Sequence, residues 1–442
     1  MNGCQAQAAN ARLGYGRAAL IRNPKAILVL LTALNLLNYL DRYVLSAVLK
    51  PLQDELQLSN SMAGSLATVF LLGFFVTSPL FGHLADRSGA AGRRALVVVG
   101  VLVWSLATLS SGLAHGPATL VAARAFVGIG EASFVTLAPT LIDEIAPAER
   151  KGSWLAIFFT GIPVGSALGY LCGGAIEHAT HSWRLAFFVA GVPGLALGLL
   201  CLLIREAPAA DAPRTAPAHA YRAAARPAAA ERVPLHGTVR RLFAIPLYRS
   251  VVLGQCAYTF AIGGFGYWAP KYIAERYHLE SGRASVVFGL VTVVGGAIGT
   301  LVGGRLGDRA TRGRTGDADL ARGNLTVCAL AVAIGAPLAA AALAATTGGM
   351  FFAVMLPCEI ALFVPGGPFN VAVLRSVPSE LRASAMALSI FASHLLGDLW
   401  SPLLIGVASM AAPMAWALLV CPVTYGLAAL LWWRGRSSVV LT

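Results

Sequence analysis

Charge is what this sequence has least of. Only 12% of its 442 residues are Asp, Glu, Lys or Arg, against about 25% in soluble globular proteins, which excludes an ordinary water-facing surface and points to lipid as the solvent. The signatures of the common enzyme classes are also missing. There is no zinc-type His/Glu spacing, no glycine loop followed by Lys-Ser or Lys-Thr to cradle a phosphate, and no Gly-x-Ser-x-Gly elbow. GIGEAS (Gly128 to Ser133) is not a cofactor loop, because it lies inside an apolar segment with no strand before it. The seven cysteines (Cys4, Cys172, Cys201, Cys256, Cys328, Cys358, Cys421) are odd in number and scattered, so neither a disulfide framework nor a zinc site is indicated. No enzymatic activity, cofactor or metal is expected.

What is abundant is apolar side chain, at 57%. Windows of the length that spans a bilayer core as a helix, about 20 residues, occur at 26–49, 62–84, 95–115, 118–142, 153–177, 184–204, 248–273, 284–306, 324–345, 349–374, 383–408 and 412–433. These predict an all-α membrane protein of twelve transmembrane helices. The 47 glycines and 23 prolines fit, since both residues are commoner in membrane helices than in soluble ones. The first apolar run is too long for the core of a cleaved leader and is expected to act as its own signal.

A formal charge of +13 would suit a nucleic-acid binder, but its placement decides otherwise. Of the 33 basic residues, 26 lie at the two ends and in alternate loops, the opposite loops hold five (Lys50, Arg184, Lys271, Arg276, Arg283), and Arg42 and Arg124 lie within spans. By the positive-inside rule both termini and the long central loop are cytoplasmic, and no nucleic-acid partner is expected. The Ala/Arg-rich composition fits a bacterial inner membrane.

Residues 205–247 turn into Ala/Pro/Arg-rich text, too poor in large apolar residues to fold alone. The chain therefore divides into a tail (1–25), a six-helix bundle (26–204), a linker (205–247), a second bundle (248–433) and a short tail (434–442). At the linker's end, Leu235, Val239, Leu242 and Phe243 at helical spacing beside Arg240 and Arg241 predict a short helix on the membrane surface. An internal repeat supports the division. GHLADR (Gly82 to Arg87) after the second span returns as GRLGDR (Gly304 to Arg309) after the eighth, 222 residues on, and APAERKGSW (from Ala146) is echoed by VPSELRASA (from Val377). Two parallel, pseudo-symmetric six-helix bundles account for both pairs.

Ionisable groups at bilayer depth cost at least about 2.5 kcal/mol each on the insertion scale, so they are functional candidates. Asp41 and Arg42 lie in the first span, Arg124 and Glu131 in the fourth, Glu359 in the tenth, and His394 with Asp398 in the eleventh. Arg124 and Glu131 are two turns apart on one face, whereas Asp41 and Arg42 are neighbours that cannot face each other. The first-span pair is expected to meet the charged stripe of the fourth. Asp41 and Glu131 are then the proton-coupling groups, with Arg42 and Arg124 as counter-charges or as donors to an anionic headgroup. Glu131, Glu359 and His394 are further substrate-binding candidates, His394 and Asp398 being spaced to form a local pair. In the seventh span Tyr258, Phe260 and Phe265 are candidates to line an alkyl tunnel, and Tyr267 and Trp268 would sit in an aromatic belt. Gly161, Gly165, Gly169 and Gly173 form a small-residue face for close helix packing.

The Gly-x-x-x-Asp-Arg loop with trailing arginines resembles the signature between the second and third helices of the major facilitator superfamily, and Arg124-Ala-Phe-Val-Gly128 resembles its fourth-helix signature. The resemblance implies that Asp86, Arg87, Arg93 and Arg94, and by repetition Asp308 and Arg309, gate the cytoplasmic side, holding it shut in the outward-facing state. Here Ala90, Ala91 and Gly92 separate Gly89 from Arg93, a longer loop than is usual in that superfamily. NYLDRYVLSAVL (from Asn38), GIGEASFVTLAPTLI (from Gly128), GIPVGSALGY (from Gly161), YWAPKYI (from Tyr267) and HLLGDLWSP (from His394) resemble the spinster branch, carriers of sphingoid and lysophospholipid amphiphiles. The expected activity is secondary transport of such an amphiphile by alternating access, linked to protons, with membrane lipids as surroundings. The competing readings are a proton-linked drug or organic-anion transporter of the same fold, and a membrane sensor that no longer transports.

Overall fold

The computed structural model describes residues 23–147, 150–203 and 235–437. The N-terminal tail to residue 22, with Cys4, the linker between 204 and 234, and residues 438–442 lie outside the described residues, so the expectations placed on them are not addressed by the structure. Among the described residues there are helices and no strands, as expected of a chain crossing lipid, where each segment must satisfy its own backbone groups.

Among the described residues twelve helices are of spanning length: α1 (Pro24–Ala47), α2 (Asn60–Ser88), α3 (Gly92–Gly112), α4 (Pro117–Ile145), α5 (Lys151–Thr180), α6 (Trp183–Cys201), α7 (Pro246–Arg276), α8 (Ser281–Thr311), α9 (Asp317–Leu343), α10 (Gly348–Arg375), α11 (Ser384–Ala411) and α12 (Met414–Gly435). Eleven are apolar enough to cross a membrane by composition alone. The other, α7, faces protein more than lipid: Tyr258, Tyr267, Trp268 and Tyr272 are all buried. Helical backbone continues from α2 into α3, yet Phe70 and Trp104 pack against neighbouring positions of α4, Gly128 and Gly130. A straight helix would hold Phe70 and Trp104 about 51 Å apart at 1.5 Å per residue, so the chain reverses between the two spans.

The halves repeat each other's packing. α2 and α3 pack on α4, and α3 on α6; correspondingly α8 and α9 pack on α10, and α9 on α12. The glycine face of α5 lies against α1, where a Cβ on Gly169 would stand 2.6 Å from the Leu40 carbonyl oxygen and 2.7 Å from Tyr43 Cβ. That is inside van der Waals contact, so only glycine permits this approach.

One end of the bundle is basic: it carries the α2–α3, α4–α5, α8–α9 and α10–α11 connections, the start of α7 and the end of α12. Its ion pairs stay within each half, Arg93 to Glu144 at 2.6 Å and Lys151 to Asp143 at 2.8 Å in the first, Arg375 to Asp317 at 2.7 Å and Arg382 to Asp317 at 2.5 Å in the second. At the opposite, outer end the halves are joined. Asn60 donates to Ser409 Oγ (2.9 Å) and accepts from Lys271 (2.5 Å). Thr68 donates to the Leu399 carbonyl (2.7 Å), Tyr267 to that of Ala63 (2.5 Å), Tyr170 to that of Gly266 (2.7 Å) and Ser285 to that of Ala47 (2.6 Å). His178 meets Glu280 at 2.6 Å. Tyr267, expected with Trp268 in an aromatic belt, thus ties the halves together, while the indole of Trp268 donates within the second half, to the Pro402 carbonyl of α11 at 2.9 Å. These hydrogen bonds and ion pairs between the halves all lie away from the basic end, so the halves are tied together at the opposite end and are more open toward the basic one, where Phe75 and Phe391 still meet at 5.6 Å. Also at the outer end, Glu55 accepts from Trp183 Nε1 and Arg184 (both 2.6 Å). Slight burial raises its carboxyl, and these two bonds outweigh that and hold it below the usual range.

A close outer contact is that between α5 and α8, where a Cβ on Gly174 would lie 2.7 Å from the Gly282 carbonyl oxygen. Gly174→Leu is expected to wedge this end open. Spin labels at the exposed positions Gln57 and His278 should then move apart in the variant, and an unchanged distance distribution would contradict the assignment of this contact as the closing one.

Candidate functional site

Glu131 lies halfway along α4, 14 residues from either end, which at 1.5 Å per residue is about 21 Å from each surface. It is fully buried, and its Oε2 accepts from Arg42 Nε at 2.7 Å. The first-span and fourth-span charges are thus brought together. The neighbouring carboxylate points elsewhere: Asp41, 1% exposed, accepts at Oδ2 from Thr108 Oγ1 of α3 at 2.6 Å. Arg124, 2% exposed, stands 5.1 Å above the Phe70 ring and acts electrostatically on both Asp41 and Glu131.

The cluster is incompletely satisfied. Among the described residues Asp41 Oδ1, Glu131 Oε1, Arg42 Nη2, Arg124 Nε and Nη1 and both side-chain polar atoms of Asn38 are buried without a hydrogen-bond partner. Native interiors leave few such atoms, each costing about 1–3 kcal/mol; so many around one point mark a place built to bind something polar. Arg42 is capped by rings, its guanidinium 4.7 Å from Tyr39, 5.0 Å from Phe70 and 5.4 Å from Phe74, within cation–π range.

The second half answers from α11. Residues His394–Asp398 form a π-helical turn, a distortion that frequently accompanies functional sites, and His394 Nδ1 sits 2.9 Å from both Asp398 oxygens. This pair acts electrostatically on Arg42, Tyr39 and Tyr43 of α1. Side-chain exposures of 36% for His394, 22% for Asp398 and 16% for Arg42 place them along the open space between the halves. Glu359 on α10 is 7% exposed with no ion pair among the described residues, and it lies near Tyr170 and Tyr258.

Other expected site residues sit differently. Tyr258 is a packing residue of the second half, its hydroxyl donating to the Leu362 carbonyl and its ring 5.6 Å from Trp432. Phe265 is buried against Phe288 at 6.2 Å, and Phe260 is half-buried beside Gly397. At the basic end Asp86, Arg87, Asp308 and Arg309 are exposed, Arg93 pairs with Glu144 of its own half, and Arg94 is half-buried. Among the described residues no ion pair joins Asp86, Arg87, Arg93, Asp308 or Arg309 to the other half. Asn38, Tyr39, Tyr43, Phe70 and Thr108 complete the site and were not among the candidates. Asn35, Asn38, Tyr39, Arg42 and Tyr43 follow helical spacing in α1, and that polar stripe is the signal that could have found three of them.

A charged, part-satisfied cluster at mid-depth between two repeated bundles, sealed on one side only, defines a secondary transporter working by alternating access. Residues 31–401 match the Major Facilitator Superfamily model, and the chain belongs to that superfamily. Within it the chain belongs to the spinster family. It is 32% identical over 408 residues to a probable sphingolipid transporter, spinster homolog 2 of Arabidopsis thaliana, covering 87% of this chain and 81% of that one. It is 32% identical over 421 residues to protein spinster homolog 1 of Homo sapiens (90% and 74% covered) and 32% identical over 413 residues to a sphingosine-1-phosphate transporter of Danio rerio (89% and 78%). Its fold is similar to a crystal structure of a bacterial homolog of the human lysosomal transporter spinster, inward-facing and unoccupied, with TM-score 0.78 at 20% identity over 93% of this chain and 97% of that one. It is likewise similar to a D-xylose–proton symporter, TM-score 0.67 at 19% identity over 94% and 99%. The protein is an integral membrane transporter and not an enzyme.

Removing one partner of a buried ion pair leaves an uncompensated charge, at a cost of roughly 3–5 kcal/mol. Arg42→Ala should lower unfolding stability by about that much, and Arg42→Ala combined with Glu131→Gln by clearly less than the single change, since both charges are then gone. Equal losses in denaturant melts would show that the two groups are not coupled.

Proposed function

We propose that the protein carries an amphiphile with an anionic headgroup, of sphingoid-phosphate or lysophospholipid type, in exchange with the protonation of its first-half carboxylates. The observation that carries the reading is the buried Arg42–Glu131 pair beside Arg124, whose Nε and Nη1 have no acceptor. Guanidinium donors without an acceptor suit phosphate oxygens, which they bind in paired, charge-assisted hydrogen bonds. The names of the relatives, sphingolipid and sphingosine-1-phosphate transporters, agree with that chemistry. The alkyl tail would run among Tyr39, Phe74, Phe75 and the rings of Phe265 and Phe288, with Glu359 and His394 available to an amine or hydroxyl of the same ligand.

In the proposed cycle, a proton arriving at Glu131 removes the charge that Arg42 neutralises. Arg42 is then free to bind the headgroup, or to turn across the interface to Asp398, whose field it already shares with Tyr39. Asp41, held by Thr108, is the second protonation site and answers to Arg124. Either event alters what holds α1 to α4 and α11, and so biases the halves between states. The basic end faces the cytoplasm of a bacterial inner membrane on the positive-inside rule, which makes the present conformation inward-open. Asp86, Arg87, Arg93, Arg94, Asp308 and Arg309 close that end in the alternate state, and residues 205–247 link the bundles.

A second reading, an aromatic-acid or drug carrier, is favoured by the rings around Arg42, which would stack on a planar acid as readily as on the guanidinium.

The test is uptake by the purified protein in vesicles, with lysophospholipid, sphingoid base and an aromatic acid as alternative cargoes, with and without a pH gradient. Amphiphile flux driven by the gradient and lost in Glu131→Gln and Asp41→Asn is the expected result. Flux that survives both substitutions with its pH dependence intact would remove them from coupling, and aromatic-acid flux alone would establish the second reading.

A further inference from the structure

Away from the central site, the start of α7 and the end of α12 meet at the basic end. A Cβ on Gly435 would lie 2.6 Å from Ser250 Cβ, so the last turn of α12 abuts the first turn of α7. The contact sets the turn that carries Arg249 beside the turn that carries Arg434 and Arg436. The short helix Leu235–Ala244 precedes α7 and is packed onto it, Leu242 being fully buried and the Phe243 ring 6.0 Å from that of Tyr248. Tyr248 in turn donates to the Ala385 carbonyl at 2.8 Å. The same helix presents Arg240 and Arg241 outward. Among the described residues none of these five guanidiniums has a hydrogen bond or ion pair; the nearby acid Asp317 is already taken by Arg375 and Arg382.

An apolar track leads to the patch. Val423 (69% exposed), Leu427 (47%) and Leu430 (45%) stand on one face of α12, and the same spacing continues to Arg434. Trp433, 40% exposed, flanks the track's end with the Arg436 guanidinium 3.2 Å above its ring. Such a ring belongs at the headgroup level of a bilayer.

We propose that this patch holds the headgroup of an anionic phospholipid, whose acyl chain lies along Val423, Leu427 and Leu430. The chemistry required is a phosphate-centred negative charge carried on a chain. A free anion would use the arginines but leave the track empty, and a zwitterionic lipid would use the track while offering the arginines no net charge. By bridging α7 and α12, the lipid would pin the start of α7, which follows the short helix, to the end of the second half.

The full-length protein in detergent would be titrated with phosphatidylglycerol or phosphatidylcholine and bound lipid counted by native mass spectrometry. At about 1 kcal/mol per basic side chain near a charged headgroup, phosphatidylglycerol should be preferred, with the preference falling about fivefold in Arg434→Gln and further in a variant that also carries Arg240→Gln, Arg241→Gln and Arg249→Gln. A control, Arg305→Gln with Arg312→Gln, alters exposed arginines of the same end outside the patch and should leave the preference intact. Equal binding of the two lipids, an equal loss in the control, or full displacement by glycerol 3-phosphate would each overturn the proposal.

Discussion

A carboxylate buried at the centre of a membrane protein is stabilised by its neighbours or not at all, and among the described residues Glu131 is ion-paired to the Arg42 guanidinium at 2.7 Å, with Arg124 acting from further off. In so poor a dielectric the pair's mutual attraction is large, and so is the cost of dissolving it while both charges remain. The rest of the first half is arranged around that constraint. Arg42 is on α1 and Glu131 on α4, so the ion pair is also a mechanical tie between two spans, and Asp41 adds a second tie to α3 through Thr108. On its other side α1 is clamped to α5 by the glycines at 165 and 169. A change in the charge state of this cluster therefore acts on α1, a helix whose neighbours in the first half are otherwise rigidly set.

α1 is also the helix that looks across to the second half, toward the π-helical turn of α11 with its His394–Asp398 pair. The outer ends of the halves are held by side chains bonding to backbone carbonyls and by glycine contacts, such as Gly64 against Pro402 and Gly174 against Gly282. These are short-range contacts that exist fully or not at all, which gives the assembly two packed arrangements in place of a continuum. In the proposed cycle the central charges supply the bias between them.

Much of this was legible in the sequence because lipid imposes simple rules. The spans follow from length and apolarity, the two halves from the GHLADR and GRLGDR repeat, and the meeting of Arg42 with Glu131 from the cost of leaving either alone. What was not legible depends on which way side chains turn in three dimensions. Tyr258 reads from sequence as a tunnel candidate, and the bond of its hydroxyl to the Leu362 carbonyl is set by the fold alone. Tyr267 and Trp268 read as belt residues because aromatic side chains near the end of a span usually are, yet Tyr267 bonds across the halves to Ala63 and Trp268 bonds within its own half to Pro402. Thr108 carries no signal of its own; a lone threonine in an apolar helix commonly bonds its own backbone, and only the fold brings it to Asp41. The substrate is set by a small number of donors and rings, and sequence patterns fix their types without their arrangement.

The central claim is that the charge state of the Arg42–Glu131 pair sets which end of the transporter is open. The most direct measurement is the distance distribution between spin labels placed at the basic ends of the two halves, recorded in lipid nanodiscs from pH 5 to pH 8 for the wild type and for Glu131→Gln. The account predicts that the wild type redistributes between open and closed basic ends across this range, while the variant, fixed in the neutral form, holds one distribution throughout. A pH-dependent redistribution of equal size in the variant would contradict it.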